Sequence, residues 1–352
     1  MMNHNYKVSV GMPVWGVEKY IKRCIESILN QDFDDYEVIV VDDCSPDNSI
    51  NIVEDIKASH PKGNCIRIIR QPQNMGCWAA RNTFLEQASG KYILLIDSDD
   101  YLAEGAIRKL FQKAEKAGAE ATYGSIMPVD EKGAIINDSG IDGIILPDIT
   151  LMGVDKLASY ANSSIHRRKL NNFIWNILIR KNFLEKHQLR FRKTKFWDDV
   201  LFNADMQPLI QSAAFISDIT YMYVIRANSL SKFQIRKQIN TEEIRQHNKN
   251  FQYLKKQCLQ LKGKRYYESR ITKIMLDQFY ILTGAIKNKN ILTSPLNKNE
   301  FREAIRPPIG IREILFFKQY KAINMLFWVI GILPSFISYH LIVFIGRIKH
   351  LI

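Results

Sequence analysis

The chain predicts an α/β fold, a mostly parallel sheet flanked by helices with a helical C-terminal extension. Strand-like apolar runs alternate strictly with helix-period segments from Lys7 to about Gly118, the pattern of βαβ units that feed one parallel sheet with helices on both sides. Acids cluster where the second and fourth strands should end, and ligands of open α/β sheets bind beyond those carboxyl ends. Beyond about Ser231 the composition turns basic and helical.

In chain order, KVSVGMPV from Lys7 reads as a buried strand. Val17, Tyr20, Ile21, Cys24, Ile25, Ile28 and Leu29 then recur at helical spacing, so this segment lays one apolar face on the sheet. YEVIVVDD is a second strand ending at Asp42 and Asp43, and CSPDNSINIVEDI offers Ser, Asp and Asn caps before Ile52, Val53 and Ile56, a turn into a helix. CIRIIRQ is a third strand, GCWAARNTFLEQAS a helix closed by Gly90, and YILLIDSDD a fourth strand. A helix follows from about Glu104 to Gly118, with Ile107, Leu110, Phe111 and Ala114 on one face. MPVDEKGAIINDSGIDGIILPD, with turn residues between short apolar runs, reads as a hairpin excursion. NNFIWNILIRKNFLEKHQL and KFWDDVLFNADMQPLI read as helices, and helix continues from about Ser231 to Lys289 without Gly or Pro until Gly263.

With 352 residues, 46% of them hydrophobic, the chain can bury a catalytic-sized core with an appendage, and disorder does not fit. A net charge of +13 suits an anionic partner: nucleic acid, an anionic membrane surface or a phosphorylated substrate. Zinc-finger spacing, an RNP sequence and a basic zipper are all missing, so nucleic acid is set aside. Five cysteines without CxxC spacing give neither a disulfide framework nor a zinc site, which fits a reducing cytosol. The start, MMNHNYKVSV, lacks the basic and apolar regions of a secretory signal.

Asp97, Asp99 and Asp100 place three carboxylates within four residues, and each close pair repels by roughly 4 kcal/mol at an effective dielectric near 20. No Lys or Arg follows in the next seven positions. A hard divalent cation, Mg²⁺ or Mn²⁺, turns such repulsion into binding and brings phosphate oxygens as further ligands. The bland alternative is a solvated turn capping the next helix. At the end of a buried strand the metal is the better reading. GxGxxG after the first strand and GxxxxGK[ST] are both missing, which disfavours dinucleotide and P-loop binding.

VSVGMPVWGVEKYIKRCIESILNQ, YEVIVVDDCSPDNS, NMGCWAARN, GKYILLIDSDD and FWDDVLFN, in that order over about residues 7 to 231, resemble the family 2 glycosyltransferases of GT-A fold, inverting enzymes that use nucleotide-diphosphate sugars. The resemblance implies that Asp43 accepts a hydrogen bond from a uracil ring with Asp42 supporting its loop, and that Pro13 and Trp15 line the base. The family more often has Tyr-Asn where this chain has Trp15-Gly16. Asn74, Arg81 and Asn82 match the segment that closes over the nucleotide, and Arg81 is a partner for base or ribose. DSDD resembles the DxD motif, with Asp97 and Asp99 in the metal and ribose roles and Asp100 as the helix cap. Asp198 and Asp199 match the place of the family's Glu-Asp, whose second residue is the general base; a carboxylate there can take the acceptor proton during one inverting displacement. A surface acid pair is the alternative for these two. Arg226, in YVIRANSLS, matches a family Arg that could neutralise the departing diphosphate, and a structural ion pair is an equal reading. Trp175 with Asn176 reads as core packing on the acceptor side, and His166 has no metal-spaced partner.

Ala322 to Gly346 contains no Lys, Arg, Asp or Glu, a length sufficient for a bilayer span. Pro334 and His340 interrupt it, and Lys318, Lys321, Arg347 and Lys349 flank both ends. Both basic flanks stay cytosolic only if the segment attaches from one side, which is the expectation here; a helical pair packed on the protein is the alternative. The expected organisation is a transferase domain over 1–230, with nucleotide half 1–101 and acceptor half 102–230, then a basic helical extension over 231–320 and a membrane-associated tail over 321–352. The expected activity is metal-dependent transfer from a UDP-sugar to a saccharide or lipid-linked saccharide at the cytoplasmic face of the membrane. A sugar nucleotidylyltransferase is disfavoured because GMPVWGVEKY is not a Gly-rich triphosphate loop, and a non-catalytic scaffold because it has no need of costly buried acids.

Overall fold

The structure is a computed structural model that describes residues 5–136, 143–165, 170, 172–226 and 237–352. These fall into two compact units, one holding the residues up to Leu157 with Leu170–Arg226, the other the remainder.

The elements of the first stretch are β1 (Tyr6–Val14), α1 (Ile21–Leu29), β2 (Tyr36–Asp42), α2 (Ser49–Ser59), β3 (Ile66–Arg70), α3 (Cys77–Gln87), β4 (Gly90–Leu95), β5 (Tyr101–Leu102) and α4 (Ala106–Ala117). They continue with β6 (Ala121–Val129), β7 (Thr150–Met152), α5 (Lys156–Ala161), β8 (Ile177–Arg180), α6 (Lys181–Lys186), α7 (Asp198–Met206) and β9 (Ser212–Val224). The strands form one mixed sheet in the order 3-2-1-4-8-6-9-5, with β7 added beside β9. Its first half, 3-2-1-4, is wholly parallel. β2 is buried at every position, as a strand covered on both faces must be. Val8, Val10, Met12, Val38 and Val40 join Ile21, Ile25 and Ile28 of α1 and Ile107 and Leu110 of α4 in one core.

Two expectations are corrected. NNFIWNILIRKNFLEKHQL is not a helix: Ile177–Arg180 is β8, antiparallel to both β4 and β6, and only Lys181–Lys186 is helical. A short apolar run cannot reveal its period, and here an open slot between two strands offers the ladder bonds that decide it. Gly90 does not close α3 either; it opens β4, where a Cβ would lie 2.5 Å from the Ser9 nitrogen. In the hairpin excursion, Ile126 bridges Ile144 and Val129 bridges Ile135 in antiparallel sense, while 137–142 lie outside the described residues.

The second unit contains α8 (Thr241–Leu259), α9 (Tyr267–Lys287), α10 (Lys298–Ile305), α11 (Ile311–Leu315), α12 (Lys321–Ile332) and α13 (Ser335–Ile348). Gly263, at φ +85°, sits in the turn between α8 and α9, and Asn297 with Glu300 forms a capping box on α10. Met275, Phe279, Phe301, Phe327, Ile330 and Ile342 build its core. Lys255 is buried and donates through Nζ to the carbonyls of Ala304 (2.6 Å) and Arg306 (2.9 Å) at the end of α10; burial lowers its pKa to about 7. Among the described residues no helix is long and apolar enough to cross a membrane. The boundary expected near Ser231 lies outside the described residues.

Candidate active site

The strand ends that carry the predicted residues lie side by side in the parallel half of the sheet. Pro13, half buried, is near the end of β1, and Trp15 just beyond it is 55% exposed. Asp42 Oδ1 accepts from the Ser45 N–H at 2.8 Å, and Ser45 Oγ in turn accepts from the Gly16 N–H at 2.8 Å, which ties the loop after β2 to the loop after β1. Asp47 reinforces this tie. Although burial works against its charge, bonds from Ser49, the Glu18 N–H and Ser45 lower its pKa to about 2. Asp43 is buried, and its two oxygens accept from the N–H groups of Met75 (2.7 Å) and Gly76 (2.8 Å) at the start of α3. Gly76 has φ +93°, a conformation that suits glycine alone. Asn74 is exposed on the same loop.

The acids after β4 are less bare than their local sequence implies, because cations arrive from far along the chain. Arg81 Nη2 donates to Asp97 Oδ1 at 2.8 Å, and Arg226 Nη2 lies 2.5 Å from Asp99 Oδ2. Burial raises the pKa of Asp97, Arg81 opposes the shift, and Asp99 adds to it. One oxygen from each of Asp97, Asp99 and Asp100 lies within 4.8 Å of the others. Asp97 and Asp99 each keep one carboxylate oxygen outside the arginine pairs, the donor type that would serve a hard cation completing its shell with diphosphate and water oxygens.

Asp100 is not the cap of the next helix. α4 begins only at Ala106, and Asp100, buried, accepts instead from the Val224 N–H (2.7 Å) and the Tyr221 hydroxyl (2.8 Å) on β9. The same Tyr221 oxygen accepts from the Asp97 N–H at 3.2 Å. Asp100 and Tyr221 therefore fasten β9, which leads to Arg226, onto the acid loop. Replacing Tyr221 by Phe strands the Asp97 N–H and an Asp100 oxygen, and is expected to cost about 1–3 kcal/mol of stability, read from a urea unfolding midpoint.

The second acid pair opens α7. Trp197, immediately before it, is a non-glycine residue in left-handed conformation at φ +63°, a strain that clusters at functional sites. Arg81, 4% exposed, donates through Nη1 to Asp198 Oδ2 at 2.8 Å while its other arm holds Asp97. One guanidinium thus joins the acids after β4 to those of α7. Asp199 keeps a partly open side. The protein packed around it disfavours its charge, and with Arg81 opposing and Asp198 and Asp97 adding, its pKa is pushed up to about 7.

Other candidates serve the scaffold. Asn82 binds the backbone of Phe191 through both ends of its amide, Nδ2 to the carbonyl and Oδ1 from the N–H, each at 2.8 Å. Trp175 is buried and stacks on Phe173, Tyr221 and Tyr223, as the core reading expected. Asn176 donates to the carbonyls of Gly124 and Ser125 and accepts from Thr220. His166 lies outside the described residues. The sequence reading missed Tyr221 as an anchor and Arg81 as a bridge. The alternating SDITYMYV was the available sign of β9, but nothing local points to a partner of Arg81 that lies 117 positions away.

A parallel 3-2-1-4 half-sheet ending in an acid motif, continued by a mixed half whose helix brings a second acid pair, defines a GT-A transferase fold. Residues 9–174 match the model of glycosyl transferase family 2. It is similar to glycosyltransferase GlyA of Streptococcus pneumoniae, 29% identical over 230 residues, 64% of this chain and 32% of that protein. It is likewise similar to the succinoglycan biosynthesis protein ExoO of Rhizobium meliloti, 30% identical over 215 residues, 60% of this chain and 59% of that protein. The chain therefore spans one third to three fifths of the length of these relatives. The crystal structure of S. aureus TarS 1–349 in complex with UDP matches at TM-score 0.64 and 17% identity, covering 92% of this chain and 90% of that one, a likeness of fold.

Proposed function

We propose that the protein transfers a sugar from a UDP-sugar to a saccharide or lipid-linked saccharide acceptor with inversion, in bacterial surface polysaccharide synthesis at the cytoplasmic face of the membrane. The observation that carries this reading is Arg81, whose buried guanidinium holds Asp97 and Asp198 in one constellation. Trp15 stacks on the uracil, Asp43 and Asn74 bound its pocket with Asp42 bracing the loop, and Asp97 and Asp99 hold Mn²⁺ or Mg²⁺. That cation supplies charge neutralisation to the diphosphate. Asp199 removes the acceptor proton, and Arg226 exchanges its pair with Asp99 for the leaving diphosphate. Membrane association is supported by the acid-free, basic-flanked tail.

Calorimetric titration with UDP, GDP and CDP, with Mn²⁺ and then with chelator, tests the donor half of the reading. UDP is expected to bind alone and only with metal, and Trp15→Ala to weaken it by about 1–3 kcal/mol, the worth of a base–aromatic stack. Equal, metal-independent binding of all three would remove both the uridine and the cation from the proposal.

A further inference from the structure

Of the seventeen exposed large apolar side chains among the described residues, seven fall between Leu326 and Ile348, on α12 and α13. Leu326, Val329 and Ile332 recur at three-residue spacing along α12, and Phe336, Phe344 and Ile348 follow at eight and four along α13. Phe336 is 59% and Phe344 61% exposed, while Phe327, Ile330 and Ile342 on the other sides of the same helices are buried in the unit's own core. Both helices thus carry apolar side chains on a covered and an uncovered side, the uncovered row of α13 being interrupted by exposed His340, whose ring lies 4.4 Å from that of Phe336. A contiguous patch of this kind marks an interaction surface.

Charge selects the occupant. No Asp or Glu occurs between Ile314 and Ile352, whereas Lys318 and Lys321 stand at the start of α12 and Arg347 and Lys349 at the end of α13, all exposed. Lys298 Nζ lies 4.3 Å from the centre of the Phe336 ring, a further cation at the patch edge. Glu268 accepts from the Lys318 and Gln319 N–H groups at one edge, but a second copy docked on this face would still set Lys321, Arg347 and Lys349 against like charges, whereas an anionic lipid surface complements them. Helices of 12 and 14 residues reach only about 18 and 21 Å at 1.5 Å per residue, short of the roughly 30 Å hydrocarbon core. Pro334 stands between them.

We propose that the outer face of the α12–α13 pair inserts into one leaflet of an anionic phospholipid bilayer, its helices lying in the interface with Phe336 and Phe344 among the acyl chains and the flanking cations at the phosphates. The inference rests on the membrane part of the proposed function and deepens it by naming the surface. Physically it is an amphipathic anchor in which apolar burial and lipid charge act together.

The test is flotation of the purified full chain, without donor, on vesicles of mixed phosphatidylglycerol and phosphatidylcholine and on phosphatidylcholine alone. The wild-type chain is expected to float with the mixed vesicles and to be released by salt. Phe336→Asp with Phe344→Asp should lower the bound fraction at least tenfold, and Phe336→Leu with Phe344→Leu should retain it. Circular dichroism of both pairs checks that helix content is kept, and Lys321→Glu with Arg347→Glu, which leaves the apolar face intact, should abolish the preference for anionic vesicles. Wild-type flotation that neither the aspartate pair nor the glutamate pair reduces overturns this surface and leaves the membrane reading standing. No flotation of the wild-type chain overturns both. A lipid-free dimer in sedimentation that Phe344→Asp dissociates overturns the lipid in favour of a second copy.

Discussion

Asp199→Asn is expected to lower sugar transfer by about 10²–10⁴-fold, the usual contribution of a positioned proton acceptor, while UDP still binds as in the wild-type protein. Asn keeps the shape and one carbonyl oxygen but cannot take a proton. Of the two acids opening α7, Asp198 is held by the Arg81 guanidinium at 2.8 Å, whereas the hydrogen bond to Asp199 comes from the N–H of its neighbour Val200. The pair is thereby divided into a committed acid and an available one. The pKa of Asp199, pushed up to about 7 by its surroundings, fixes the sign of the pH dependence. A base must be ionised to act, so kcat/KM should fall tenfold per unit as pH drops below about 7, and the residual rate of the Asn variant should lack that limb. Wild-type turnover in the variant, or an unchanged acid limb, would assign the proton to another group.

The parallel half of the fold was legible because its signals are local. Each of its strands is an apolar run ending in a turn, and each helix shows its face by spacing, so the ends of β1, β2 and β4 could be placed before any coordinates. β8 was misread because its four residues span barely one helical turn, too few to tell a period of 2 from one of 3.6, and their strand character comes from lying between β4 and β6. The acid triplet shows the same division. Its position at a strand end follows from the sequence, but its charge balance does not, since the compensating cations are Arg81 on α3 and Arg226 beyond β9. Asp100 was misassigned for a related reason: a cap is a local partner, and its actual partners are more than 120 positions away. In this fold backbone placement can be read from neighbours in sequence, while the electrostatics of the site is a long-range property.

The largest effect on stability is expected from Arg81→Met. The side chain is buried, of similar length, and carries the only guanidinium that contacts both Asp97 and Asp198 among the described residues. Removing one member of a buried ionic group costs about 3–5 kcal/mol, most of it the penalty of leaving charges without a partner. The expected result is a lower urea midpoint with an unchanged slope, since the surface exposed on unfolding is the same. Two additions separate this cause from lost packing. Combining Arg81→Met with Asp198→Asn should recover part of the loss, because one stranded charge is gone, giving a double-mutant coupling that a packing defect does not produce. Mn²⁺ should stabilise Arg81→Met more than the wild-type protein, because a cation at Asp97 and Asp99 replaces the missing positive charge. If neither Asp198→Asn nor Mn²⁺ restores stability, the bridge seen at 2.8 Å on each arm is not what holds the two acid pairs together. The joined constellation on which the proposed function rests then has to be found in other contacts.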